Sequence, residues 1–318
     1  MKISSTKYTL VFRFTILHVF MVIVGCAASV NVSYQSGLQS YEEEKYRTAI
    51  AHFTRALQDD PTDPEIYFYR AGAKFYLEDF PGALDDYSRA ISLNSSEYKY
   101  YINRGLVYTT LTNYDDAIMD YNRAVDIDSL NPESFFNRAY VRELLMDYNG
   151  AIEDYSKSIL RDSDDARFFV NRGNIKSIIG EYEKAIKDYT LAINLNPADE
   201  IAYQNRAGDY IKLGKFPEAI ADLTKAIKLN PTKNDFYYSR AEAKLDINNF
   251  LGAVADYTHI IKLEPGDALA YYNRGICYAN IELKNNACAD FNKAGELGLF
   301  EAYEVIRKYC VEKGEVTK

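Results

Sequence analysis

The sequence predicts an all-α solenoid of paired helices, and three observations carry that reading. Residues recur every 34 places from Val30 to Glu301 with no insertion or deletion. Three places in each period hold small side chains, and proline recurs near the period's end. In register the units are 30–63, 64–97, 98–131, 132–165, 166–199, 200–233, 234–267 and 268–301.

The small places come first. The eighth is Gly37, Ala71, Gly105, Ala139, Gly173, Ala207, Ala241 and Gly275, and the twentieth is alanine throughout, from Ala49 to Ala287. The twenty-seventh is alanine except for Ser158 and Ile260. Small side chains there let two antiparallel helices approach closely, and large ones at the fourth, seventeenth and twenty-fourth places fill the space between them. Tyr67, Phe80 and Tyr87 do so in the second unit, and Phe169, Tyr182 and Tyr189 in the fifth. A motif that repeatedly asks for tyrosine also explains 29 tyrosines beside no tryptophan. Pro61, Pro197, Pro231 and Pro265 sit at the thirty-second place, where proline stops a helix. Each unit therefore reads as a helix of roughly 13 residues, a turn at the fifteenth and sixteenth places (Gly180-Glu181, Gly214-Lys215) and a second helix of similar length.

This period and pattern resemble the tetratricopeptide repeat over residues 30–301. The resemblance implies a right-handed superhelix of eight helix pairs with a concave face lined by first helices. The open end needs a cap, because no pair buries its apolar stripe alone. Ala302, Val305, Ile306, Tyr309 and Cys310 have helical spacing, with Glu301, Glu304, Arg307 and Lys308 as the polar face, so a capping helix is expected within 302–318.

Ahead of the repeats, Met1 to Arg13 carries scattered positive charge, Phe14 to Val24 is nearly all apolar, and small residues follow. That is the plan of a secretory signal spanning 1–25. Ile23-Val24-Gly25-Cys26 resembles the bacterial lipobox, which implies cleavage before Cys26, lipidation of its thiol and a short linker, 26–29. The expectation is an exported lipoprotein of the cell envelope, at the outer membrane and facing the periplasm. The rivals are an uncleaved anchor over Tyr8 to Val30 and a freely secreted product.

The seventh place is Arg70, Arg104, Arg138, Arg172, Arg206, Arg240 and Arg274; the twenty-third is Asp86, Asp120, Asp154, Asp188, Asp222, Asp256 and Asp290. The first unit has Ser36 and His52 instead, so the two charges are absent together and present together. Pairing within a unit leaves no charge alone, which favours a ladder of semi-buried pairs that fixes helix register over a polyanion site.

The resemblance places a binding groove on the second, fifth, sixth, ninth, twelfth and thirteenth places. Its candidate residues are Tyr34, Phe68, Phe136, Tyr238 and Tyr272 at the fifth place. At the sixth they are Tyr69, Asn103, Asn137, Asn171, Asn205 and Asn273. Carboxamides pair with an extended peptide's backbone and rings take its side chains. The alternative is that the rings are packing residues and the asparagines a habit of the repeat. A clamp for a C-terminal carboxylate would need a cation at the fifth place, and no unit has one.

The preferred function is thus a non-catalytic scaffold for a protein or extended peptide, anchored by lipid. The alternative is a glycan-binding part of an envelope export or assembly machine. Net charge is −9, and a chain lacking the three cations of residues 1–25 stands at −12, which disfavours nucleic acid. No metal-ligand spacing, phosphate loop or catalytic triad is present, so no cofactor and no enzyme activity are expected. With Cys26 lipidated, three thiols remain. Cys288 and Cys310 are the first candidate disulfide, Cys277 and Cys288 the second, and three free core thiols the third possibility.

Overall fold

Each unit folds as its period dictates. In the computed structural model, which describes residues 32–311, the first helices are α1 (Val32–Glu42), α3 (Pro64–Tyr76), α5 (Tyr98–Thr110), α7 (Pro132–Leu144), α9 (Ala166–Ile178), α11 (Glu200–Lys212), α13 (Asn234–Asp246) and α15 (Ala268–Asn280). The second helices are α2 (Tyr46–Asp59), α4 (Phe80–Leu93), α6 (Tyr114–Ile127), α8 (Tyr148–Arg161), α10 (Tyr182–Leu195), α12 (Phe216–Leu229), α14 (Phe250–Leu263) and α16 (Lys284–Glu296). Every helix packs on its predecessor and its successor, which gives an all-helical solenoid of eight pairs. The signal segment 1–25, Cys26, the linker 26–29 and the tail 312–318 lie outside the described residues. Among the described residues no helix is long and apolar enough to cross a membrane.

The small places are where the helices meet. Ala49, Ala83, Ala117, Ala151, Ala185, Ala219, Ala253 and Ala287 are wholly buried. A Cβ added at Gly105 would stand 2.8 Å from the Tyr121 ring, which would have to move outward to admit it, whereas alanine at the same place in other units is accommodated beside Tyr87, Tyr155 and Tyr257. Tyr87, Tyr121, Tyr155, Tyr189 and Tyr257 are at most 2% exposed and form the centre of their units. The fourth place is buried at Tyr101, Phe135, Phe169, Tyr203 and Tyr237, whereas Tyr67 and the seventeenth-place Phe80 and Tyr182 are only half-buried.

The turns hold more strain than the sequence announces. The fifteenth place of every unit has φ between 58° and 82°, yet only Gly180 and Gly214 are glycine. Glu44, Glu78, Thr112, Met146, Asn248 and Glu282 take the same left-handed conformation, which costs a side-chain-bearing residue roughly 1–2 kcal/mol. Stacking of the flanking helices holds them there. Helix starts are better served: Asp63, Asn131, Asp165, Asp199 and Asp267 each accept a bond from the first turn of the helix they precede.

The cap forms, with a change of winding. α17 (Glu301–Val305) continues as a π-helical turn over Ile306–Cys310, where a continuous α-helix was expected. Ala302 is fully buried, the Tyr303 hydroxyl donates to the Gly295 carbonyl at 3.0 Å, and Tyr309 meets Phe291 edge-on. The wider turn ends where Cys310 joins Cys288, with Cα atoms 5.6 Å apart. Glu301, Glu304, Arg307 and Lys308 face solvent as expected. Cys277 stays a free, buried thiol, pushed up to about 11 by burial.

Candidate functional site

The seventh and the groove places lie on opposite sides of each first helix, since 100° per residue puts the fourth, seventh and eleventh together and the second, fifth, sixth, ninth and twelfth across from them. The two sides differ in chemistry and are taken in turn.

On the ladder side, each arginine gives Nε and Nη2 to the two carboxylate oxygens of the aspartate in its own unit, at 2.5–3.1 Å. These seven aspartates are 0–7% exposed. The Nη1 group reaches across to the preceding unit, to Thr54, Ser88, Asn122, Ser156, Thr190, Thr224 or Thr258 at 2.7–3.2 Å. The guanidinium carbon lies 5.5–5.9 Å from the centre of the fourth-place ring. Each arginine is thus committed to its own unit, its neighbour and a ring, which makes the row a register device. The hydroxyl or amide at the twenty-fifth place was legible in the sequence, because every unit has one, but its use between units was not. Asp86, Asp154, Asp188 and Asp256 also receive a second cation from the eleventh place: Lys74, Arg142, Lys176 and Lys244, at 2.7–2.8 Å.

On the concave side, the fifth-place rings prove to be packing residues as much as surface. Tyr34, Phe68, Phe136, Tyr238 and Tyr272 each meet the twenty-fourth-place ring of their own unit, with centroids 5.6–6.1 Å apart. Phe68 is 4% exposed and belongs to the core, so it is not a groove residue: Tyr87 and Tyr100 enclose it. The other four are half-buried, as is Tyr69, which leans on Tyr34, Tyr41 and Phe53. Rings tilted against rings at 50–67° leave little of the open, coplanar platform a sugar requires.

The asparagine row is intact and half-exposed. Asn103 and Asn171 each donate through their amide to the carbonyl one turn earlier, on Lys99 and Arg167, which fixes their rotamers. Asn205 donates to Asn174, which also accepts from the Tyr189 hydroxyl. Asn137 and Asn273 make no side-chain bond among the described residues. Two second-place ion pairs flank this row: Glu65 with Lys99 at 3.1 Å, and Glu133 with Arg167 at 2.5 Å. Burial pushes the Glu133 carboxyl up, against the pull of Arg167, and burial likewise raises Glu143, which accepts from Tyr155.

One buried acid was not singled out in the sequence. Asp209 holds the tenth place, where the other buried members are Ala73, Val107, Val141, Ile175, Ala243 and Cys277. It is 2% exposed, accepts from the Ser177 hydroxyl at 2.5 Å, and its Oδ2 has no partner. Burial raises its pKa. A charged residue at a place that is apolar in six of the other seven units was the available signal. Among the described residues no group of histidine, cysteine and acid side chains is set to hold a metal ion.

Family models described as tetratricopeptide repeat match residues 71–132 and 166–199, and one described as TPR repeat matches 209–248, so the chain carries tetratricopeptide repeats. No curated protein sequence matches it. Among solved structures, the chain is similar to the C-terminal part of a TPR repeat-containing protein from Cytophaga hutchinsonii. That match has 21% identity and a TM-score of 0.64, and covers 76% of this chain and 98% of the other. A tetratricopeptide repeat protein from Parabacteroides merdae matches at 20% identity and a TM-score of 0.54, over 87% of this chain and 96% of its own. PilF of Pseudomonas aeruginosa matches at 20% identity and 0.53, over 66% and 96%. These likenesses establish the fold.

Proposed function

We propose that the protein is a non-catalytic scaffold that holds an extended segment of a partner protein along its concave face. The observation that carries this is the asparagine row. Its carboxamides, Asn103, Asn137, Asn171, Asn205 and Asn273, stand at one place on five of the first helices, and Asn137 and Asn273 make no side-chain bond among the described residues. A carboxamide both donates and accepts, so a file of them matches the alternating N–H and C=O groups of an extended backbone. The ring packing described above favours a peptide over a glycan.

We further propose that the scaffold is anchored to the envelope of a bacterium through a lipidated Cys26. The apolar run ending in Ile23-Val24-Gly25-Cys26 supports this, as does the Cys288–Cys310 disulfide, because such bonds persist where the compartment is oxidising. Two readouts test the pair of readings. A photo-crosslinking residue at Asn137 is expected to capture a protein in cells, whereas one at the exposed Met119 of α6 is not; equal capture from both sites refutes the groove. Cys26→Ser is expected to release the protein into the soluble fraction, and its retention on membranes would refute the lipid anchor.

A further inference from the structure

The twelfth place of one unit meets the first helix of the next. At the first junction Tyr41 stands above Gly72, where an added Cβ would lie 2.7 Å from the tyrosine oxygen. Gly72 holds the ninth place, on the concave side. At the later junctions the twelfth and ninth places bring at least one larger side chain, from Phe75 with Leu106 to Leu245 with Ile276. The exception lies between units five and six, where the two residues are Ser177 and Gly208. Gly208 is exposed, and a Cβ added there would meet nothing within 4 Å. A space that a tyrosine fills at the first junction is thus open at this one.

Polar groups without partners border the gap. Asp209, next to Gly208, accepts from the Ser177 hydroxyl at 2.5 Å, yet its other oxygen, Oδ2, is bonded to nothing although the residue is only 2% exposed. One turn before the gap on each helix stand Asn174 and Asn205. The Asn174 carbonyl oxygen accepts from the Tyr189 hydroxyl and from the Asn205 amide, both at 2.9 Å. That leaves the Asn174 amide and the Asn205 carbonyl oxygen unbonded among the described residues, and neither is buried. The gap therefore offers one donor group and two acceptors.

We infer that the gap over Gly208 receives a glutamine or asparagine side chain of the extended partner, an inference that rests on the concave face being the binding surface. The partner's carboxamide oxygen accepts from the Asn174 amide, while its NH2 group donates to the Asn205 oxygen and to Asp209 Oδ2 at the floor. A carboxylate brings no donor for either acceptor, and an ammonium brings no acceptor for Asn174. An apolar side chain leaves all three groups unpaired, so the site selects by hydrogen-bond pattern. Glycine at this ninth place admits the side chain, because it lets a ligand come close to the helix backbone.

The test uses fluorescence anisotropy on the full chain with four labelled, capped peptides of alternating alanine and threonine. They differ at the central residue alone, which is glutamine, glutamate, methionine or lysine. Gly208→Leu fills the gap, Asp209→Val removes the acceptor at its floor, and Glu242→Leu puts the same bulk at the ninth place one unit on, as control. Leucine suits an exposed helix position better than glycine, and units three and four already carry Val107 and Val141 at the tenth place, so the gap variants are expected to melt no lower than the parent. The glutamine peptide is expected to bind the parent about tenfold more tightly than the other three. That advantage is expected to vanish in Gly208→Leu and Asp209→Val and to persist in Glu242→Leu. A glutamine peptide that binds the parent no better than any of the other three, or an advantage that survives in either gap variant, overturns the inference. If Asn137 still crosslinks a cellular partner in that event, only the carboxamide seat is refuted; if that crosslink is absent as well, the groove itself fails.

Discussion

The two sides of the first helices obey different rules. On the ladder side, seven units repeat one arrangement of arginine, aspartate, ring and neighbouring hydroxyl or amide, with Arg–Asp bonds of 2.5–3.1 Å. On the concave side, the same helices carry Glu65, Lys99, Glu133, Arg167, Ile201, Asp235 and Leu269 at a single place. A side that must mate with the next copy of itself is held to one solution, because each unit is both template and guest. A side that faces solvent or a partner is free to differ. Repetition in a solenoid therefore marks what holds the stack together, and departures from it fall on the side that no neighbouring copy has to match.

The comparison breaks most visibly if the ladder is cut. Asp154 is fully buried and receives Arg138 at 2.7 Å and Arg142 at 2.8 Å, so Asp154→Ala takes the carboxylate from Arg138 and leaves Arg142 only the longer contact to Asp147 and the Gly150 carbonyl. A loss of about 3–5 kcal/mol is expected by urea denaturation. Asp290→Ala, which strands Arg274 alone in the last unit, is expected to cost less. Equal costs would mean the second cation adds nothing.

Next comes the end of the stack. Cys310→Ser opens the staple to Cys288, a loop of 22 residues, and is expected to remove about 3 kcal/mol from the cap. Hydrogen exchange is expected to show the loss in α16 and α17, with the distant first unit unmoved. A uniform loss over the whole chain would show that the solenoid melts as one body.

Smaller effects, near 1 kcal/mol, are expected where the repeat is imperfect. Thr112 is β-branched at φ 62°, so Thr112→Gly is expected to raise stability by about 1 kcal/mol in thermal melts. Asp209→Asn tests the one buried aspartate that lacks an arginine. Burial raises the folded-state pKa of Asp209, so the folded protein holds this proton over a range where the unfolded chain has lost it. Its contribution is therefore complete below the ordinary aspartate range and is lost as pH rises through the folded-state value. The variant is expected to be more stable than the parent by about 1 kcal/mol near pH 8, with the gap closing toward pH 3. A gap independent of pH would show that Asp209 is solvated as well in the fold as outside it.

The smallest expected effect on stability falls on the groove. Asn137→Ala and Asn273→Ala are expected to change melting by no more than about 0.5 kcal/mol, since neither amide makes a bond among the described residues. Both should weaken capture of a partner. Stability loss without binding loss would move these asparagines to the ladder's side of the comparison.

The sequence by itself determined the period, the unit boundaries, the antiparallel pairs and the pairing of Arg70 with Asp86 and its counterparts. Each of these is local to about 34 residues, and a motif repeated eight times averages out the exceptions. It also offered Cys288–Cys310 as the first candidate bridge, though it left both the Cys277–Cys288 pairing and three free thiols open. Tertiary structure decided what depends on how one unit meets another. Phe68 shares its place in the period with the half-exposed Tyr238, yet the neighbouring Tyr100 closes over it and takes it from the groove. The third arm of each arginine crosses to the unit before it, the left-handed turns tolerate Thr112 and Met146, and Asp209 is sealed against Ser177. The burial of Phe68 and of Asp209 does not follow from a residue's place in its own repeat, and the recurrent left-handed turn and arginine arm are periodic but set by how neighbouring helices meet. The physical reason is that burial belongs to the surface two units share, and a periodic pattern fixes only what each unit offers to it.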